Sequence, residues 1–473
     1  MATDRIDAGA GSSSDHSAPP SKGNDIVGHP RGLWVLAGTE LWDRVSFYGM
    51  QALLVLYMAG QLLVPGRVEH IAGFGAYRAV VEQVTGPLVP EALAAQTFGI
   101  YVAMVSLFAA FGGFVGDRWI KRSHAVIGGG LLMTMGHFAL AFDRTFLVAL
   151  VLLVVGAGLL RGNMMAQIKA LYPEGDRREG DAFQIYYLIL NFGGFVAPII
   201  TGTLAAFVGW HIAFGFAGFG MLLGLVIYLV GMRHLPRQVM PPKRKRNDSP
   251  RVPLTRGEKR RVVGLLLFWP MITAFWVTQS QIWNVYNLWV RDHVDLQVGS
   301  FTVPVPWLQS LDGLAPAVLI PTMLAVWRWQ AKRGHEPGLV GKLSIGCFIF
   351  AAAVMLLASG HMFAGSGGVP LWLPVCFHIV ANLGYVYIAP ASTALFSAEA
   401  PPSLRGTMIG LSSLTTFFAG FISGWLGGLY VTLSPAMFWT IHAAIVGGAG
   451  LVILIIGPLA SRLFASGDPI AMG

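Results

Sequence analysis

At twelve places the chain stays apolar for long enough to cross a lipid bilayer. A helix rises 1.5 Å per residue and the hydrocarbon core is about 30 Å thick, so roughly 20 apolar residues suffice. Such stretches fall at about 33–59, 94–115, 124–141, 146–168, 184–207, 212–232, 262–290, 305–328, 340–360, 370–394, 406–429 and 435–461. The third is the shortest. Inside a bilayer every backbone N–H and C=O must find its partner within the segment, which leaves the α-helix for runs of this length. The expected fold is therefore an all-α membrane protein with about twelve transmembrane helices.

The balance of charge agrees. The chain is 55% hydrophobic and only 12% charged, outside the usual range of soluble domains. A net charge of +9 would suit nucleic acid, but the placement of the charges points elsewhere. With the N-terminus inside and an even number of spans, only Arg67, Arg78, Arg144 and Arg291 of the 32 Lys and Arg fall outside. Arg44 and Arg161 lie within the membrane, and the rest are cytoplasmic. The positive-inside rule thus explains the basic balance and places both termini in the cytoplasm of a multi-pass cell (inner) membrane protein. Eleven basic residues between Arg233 and Arg261, with Pro241-Pro242 and Lys243 to Arg246, mark a cytoplasmic linker. It splits the chain into six-helix sets at 31–232 and 262–461, with the linker at 233–261, a disordered tail at 1–30 and a short tail at 462–473. Cys347 and Cys376 sit inside spans and read as packing residues.

Three acids remain within the spans: Glu40, Asp43 and Asp312. On insertion scales each charge at a helix centre costs roughly 2.5 to 3.5 kcal/mol, so Glu40, Asp43 and Arg44 together would cost about 8 to 10 kcal/mol unless something offsets them. Positions 40, 43, 44, 47, 48 and 51 recur at three and four residues and form one polar stripe. That stripe is expected to face a water-filled cavity, with both carboxylates sharing the Arg44 guanidinium, as a proton and anion site. Arg161, on the small-residue face of the fourth span, needs an anion too. Either a protein carboxylate or the substrate could supply it. His137 reads more readily as a histidine hydrogen-bonded to a neighbouring helix than as a proton carrier.

Further polar groups recur near span centres or ends: Asn191 in the fifth, Trp276 and Gln281 in the seventh, Asp312 two turns into the eighth and Tyr385 in the tenth. The second span ends in Gly112-Gly113-Phe-Val-Gly116-Asp117-Arg118. Its glycines would let two backbones approach, and its Asp-Arg pair would bond helix ends. The segment between the first two spans, Gly60 to Glu91, is of mixed polarity and carries no assigned function. No nucleotide loop, metal-spaced His/Cys/Glu cluster, cofactor motif or nucleophile elbow is present. A proton gradient is the expected energy source, and an enzyme is not expected.

Together these motifs resemble a family. Glu40-Leu-Trp-Asp43-Arg44-Val-Ser-Phe47-Tyr48-Gly49 resembles the Glu-x-x-Glu-Arg-Phe-x-Tyr-Tyr-Gly signature of the proton-coupled oligopeptide transporters, a branch of the major facilitator superfamily. The likeness continues in Gly112 to Arg118, Tyr186 to Gly194, Phe275-Trp276 with Gln281, Trp307 to Leu311 and Leu404 to Gly406. It implies the major facilitator fold of two six-helix halves and gating by Gly112, Gly113, Asp117 and Arg118. It also implies proton coupling through Glu40, Asp43, Arg44 and Asp312, and a substrate site at Arg44, Tyr48, Arg161, Asn191, Trp276, Gln281, Asp312 and Tyr385. The chain departs from the pattern inside the pocket: Asp43 replaces a glutamate, Arg161 a lysine and Asp312 an asparagine. Ser280 and Tyr385 replace glutamates, Phe47 and Ser106 replace tyrosines, and Ser412 replaces a tryptophan.

The resemblance implies a symporter that takes up small peptides or carboxylate-bearing, peptide-like compounds by alternating access, working as a monomer in the bilayer with no cofactor beyond the proton. Loss of two acids leaves room for an N-blocked or non-peptide anion. A membrane receptor that kept the fold and lost turnover is the remaining expectation. Asp312 either takes over the ammonium or only hydrogen-bonds near its helix end.

Overall fold

The computed structural model describes residues 25–173, 175–236 and 254–465. Among them the first six-helix set holds α1 (Arg31–Tyr57), α3 (Pro90–Arg118), α4 (Arg122–Ala139), α5 (Phe146–Lys169), α6 (Arg178–Phe207) and α7 (Trp210–Gly231), with a short α2 (Phe74–Thr85) between the first two. The second set holds α8 (Arg256–Ser280), α10 (Leu311–Lys332), α11 (Leu339–Ala358), α12 (Trp372–Glu399), α13 (Arg405–Gly427) and α14 (Pro435–Ala465), with a short α9 (Val285–His293) after the first. Six residue pairs of strand join loops and add no layer. The protein is thus an all-α membrane protein of two six-helix halves. Most of the basic linker expected at 233–261, and most of both expected tails, lie outside the described residues.

Eleven helices among the described residues are long and apolar enough to cross a membrane. The twelfth expected span, 124–141, is helical as α4, but Arg122, His124 and His137 within eighteen residues make it less apolar. It is held by close backbone contacts instead: a Cβ added at Gly129 would stand 2.6 Å from the Gly156 carbonyl oxygen of α5. Two other expected spans are not α-helical throughout. The stretch 262–290 ends as α8 at Ser280, turns at Gln281–Trp283 and resumes as α9 after Asn284. The stretch 305–328 opens with a 3₁₀ turn, Val305–Ser310, which carries Pro306 in its first turn, where no helix N–H is lost, and runs on into α10. The segment after the first span, of mixed polarity, contains α2. Its loop is clamped by Asp143, which accepts hydrogen bonds from Tyr57 and, at 2.6 Å, from Arg67.

Contacts between the halves gather at one end. There α3 packs on α13, and a Cβ at Gly99 would come within 2.5 Å of the Gly420 carbonyl oxygen. Asn284 donates to the Ala95 carbonyl at 3.1 Å, and Trp307 donates to Thr203 at 3.0 Å. At the other end, Gly406 and Gly410 of α13 have no neighbour within 4 Å of where a Cβ would lie, and Phe111, Tyr187 and Phe192 are exposed. The fold is closed between its halves at one end and loose at the other.

Candidate functional site

A cavity of about 470 Å³ lies between the halves, lined from both. From the first half come Arg44, Phe47, Tyr48 and Gln51 of α1, Arg161 of α5 and Asn191 of α6; from the second come Trp276, Gln279 and Ser280 of α8, Asp312 of α10, and Asn382 and Tyr385 of α12. The polar stripe on α1 therefore reaches this chamber, although only in part. Glu40 and Asp43 are fully buried behind the arginines and do not line it.

Both carboxylates lie against Arg44 as expected, but they share it unequally. Arg44 Nε donates to Glu40 Oε1 at 2.7 Å and stands 3.8 Å from Asp43 Oδ2. Asp43 is instead bound by Arg161, whose Nε donates to Oδ2 at 3.1 Å and whose Nη2 donates to Oδ1 at 3.4 Å. The anion that Arg161 needs is thus a protein carboxylate. One turn separates Glu40 from Arg44, so their pair forms within α1, whereas Asp43 points toward α5. The Phe47 ring lies 3.8 Å from the Arg161 guanidinium carbon and stacks beneath it, a contact an ammonium would not make in the same way.

The opposite wall differs. Asp312 Oδ1 accepts hydrogen bonds from His378 Nδ1 and Asn382 Nδ2, each at 2.8 Å. Its other oxygen is buried without a partner, as is His378 Nε2. Asp312 therefore is tied at the start of α10 by hydrogen bonds and also faces the chamber. His378 was not among the expected residues; the signal that could have found it is its spacing of four from Asn382, which puts both on one face of α12.

Several expected positions fall where the residue pattern placed them, and one does not. Trp276 and Tyr385 meet edge to face on the wall with centroids 6.1 Å apart, and Asn191 lines it while donating to the Tyr187 carbonyl. Gln281 is turned away: it is fully buried, donates to the Ser423 carbonyl at 2.8 Å and contacts His442. The reason is the break after Ser280, which rotates the stripe so that Gln279 and Ser280 face the chamber. His137 is fully buried with no hydrogen-bond partner on either ring nitrogen, unlike the bonded histidine expected.

The expected gate residues are also split. Gly112 and Gly113 seat α3 on α5 within one half: a Cβ at Gly112 would run into the Gly158 carbonyl oxygen, and Asn163 donates to the Gly112 carbonyl at 2.9 Å. The Arg118 guanidinium sits 4.4 Å from the Phe114 ring centroid. The Asp117 side chain lies outside what the structure describes.

The model of the Major Facilitator Superfamily matches residues 47–424. The chain belongs to the major facilitator superfamily. Within it the chain is similar to peptide transporters of the POT family. The peptide transporter YePEPT of Yersinia enterocolitica is 27% identical, over 92% of this chain and 96% of that protein. A di-/tripeptide transporter of Lactococcus lactis is 26% identical over 91% and 96%. The crystal structure of a peptide transporter POT in complex with sulfate has a TM-score of 0.81 at 26% identity, covering 93% of this chain and 96% of that one.

Proposed function

We propose that this protein is a proton-coupled symporter that carries small peptides or peptide-like carboxylates across the cell membrane, as a monomer, by alternating access. One observation carries the reading: Arg44 and Arg161 present their guanidiniums to a chamber between the halves while their carboxylates sit buried behind them. A related transporter has been crystallised in complex with sulfate, an anion.

The mechanism follows from sharing. In the resting protein Glu40 and Asp43 hold the two guanidiniums. A proton on either carboxylate weakens that hold, and the freed N–H donors can take a substrate carboxylate. Proton and substrate then favour each other, and a coupling of about 1 to 3 kcal/mol is enough to be useful. The end of the interface that is loose here would close, and the end that is packed would open, as the halves rock about the chamber.

Reconstituted Glu40→Gln and Asp43→Asn proteins test this. Uptake driven by an imposed proton gradient should fall about tenfold or more relative to exchange at equal pH. Undiminished accumulation in both variants rejects the proton role.

A second reading, an N-blocked or non-peptide anion, rests on the second half's wall. Ser280 and Tyr385 stand where acids would hold an ammonium, leaving Asp312 as the one carboxylate lining the chamber among the described residues. Competition by dialanine and N-acetyl-dialanine separates the two, because only a peptide site loses affinity when the amine is capped.

A further inference from the structure

Asp312 and His378 are the one part of the chamber wall whose charges do not cancel. Glu40 and Asp43 each have a guanidinium, but among the described residues the ionisable partner of Asp312 is the His378 imidazole. With His378 neutral and its Nδ1–H donating to Oδ1, the pair carries one negative charge. Its surroundings offer little to balance it. The titratable groups near it are Tyr286 of α9 and Tyr385 of α12, both close enough to feel the Asp312 charge, with Tyr48 of α1 and Tyr187 of α6 beyond Tyr385. Tyr286 sets its ring edge to face against His378 at 5.1 Å, and Phe377 lies at 5.3 Å. The His378 side chain is fully shielded, while the Asp312 side chain keeps 11% of its surface, on the chamber side. A charge in such a place is expensive unless a cation joins it.

We propose that Asp312 and His378 form a proton-holding dyad that occupies the role left open at Ser280 and Tyr385, and that a substrate's ammonium group and this proton alternate at it. The inference rests on the transport reading for its second half only. When the chamber is empty, a proton from the medium binds the imidazole, and the dyad becomes an internally hydrogen-bonded, neutral ion pair. When an ammonium reaches Asp312 from the chamber it supplies the same charge, and the imidazolium proton returns to water. His378 contributes the proton site, and Asp312, held by Asn382 as well, contributes the surface that both cations share. An N-capped substrate brings no ammonium, so the proton stays.

The test is the pH-difference infrared spectrum of the full chain in lipid bilayers, taken between about pH 8 and pH 5, where histidines change charge. The His378→Gln protein should lack one histidine's share of the imidazolium signal, out of twelve in the chain. The Asp312→Asn protein should show that component changed, since the imidazolium has lost the carboxylate it is hydrogen-bonded to. Spectra of His378→Gln that superimpose on the wild type overturn the proton site. Should His378→Gln not fold, an unchanged Asp312→Asn spectrum does so. Dialanine added to the wild type at about pH 6 should remove the same component, and N-acetyl-dialanine should leave it. A dialanine without effect, beside an intact pH component, keeps the proton site and overturns the alternation. If dialanine also fails to compete in transport, it is the peptide reading that has failed.

Discussion

The two walls of the chamber handle charge in opposite ways. On the first half, each acid is buried and each is matched by an arginine whose far side faces the chamber. On the second, the acid faces the chamber and its partner is a buried imidazole, which is neutral or charged according to its surroundings. A guanidinium is always charged, so the first wall can change its state only at the carboxylates. The second can change at the base. One wall suits holding an anion and the other a cation, and a molecule with both ends charged would span them.

The changes in residue type on the first wall are coordinated. The shorter carboxylate of Asp43 is met by the forked side chain of Arg161, which reaches both oxygens, and Phe47 provides a face for the guanidinium. The largest expected effect follows. Arg161→Ala leaves Asp43 buried without its main partner, a change of about 3 to 5 kcal/mol in stability on the record of broken buried pairs. Thermal unfolding in detergent should show it as a large loss, together with loss of uptake. The double variant Asp43→Asn with Arg161→Met should recover much of that stability without recovering uptake. Equal stability of the single and double variants would break the claim that this wall is built on matched pairs.

A smaller effect is expected on the other wall. Asn382→Ala removes one of two hydrogen bonds to Asp312 and should cost about 1 to 3 kcal/mol, because the carboxylate stays largely buried. Its transport signature should be a weaker apparent affinity for peptides with a free amine, with capped peptides less affected. The smallest effect on transport belongs to Gln281→Ala. Gln281 braces α8 against α13 and α14 away from the chamber, so the change should lower stability by about 1 kcal/mol and leave apparent substrate affinity within about twofold. A tenfold loss of affinity would return Gln281 to the wall.

Much of this architecture was legible because the bilayer permits so few solutions. Hydrophobic runs fall where helices form, and Arg44, Phe47, Tyr48 and Gln51 of the α1 stripe, with Arg161, Asn191, Trp276, Asp312 and Tyr385, all reach one chamber. What could not be read was pairing across helices. Spacing alone joined Glu40 and Asp43 to Arg44, since all three share a helix, and could not show that α5 would bring a second guanidinium to Asp43. It also missed His378, which looks like any apolar-flanked histidine until α10 is laid beside α12. The break after Ser280 had the same consequence for Gln281: a continuous helix would have kept it on the stripe.

The chain by itself determined where the long helices run, where the charges sit along them and that these charges must meet inside a bundle, because isolated charges are too costly in hydrocarbon. Only the tertiary structure decided which charge meets which. Ion pairs depend on distances of a few ångströms between helices far apart in sequence, and those distances are set by glycine contacts and helix breaks that no single helix encodes.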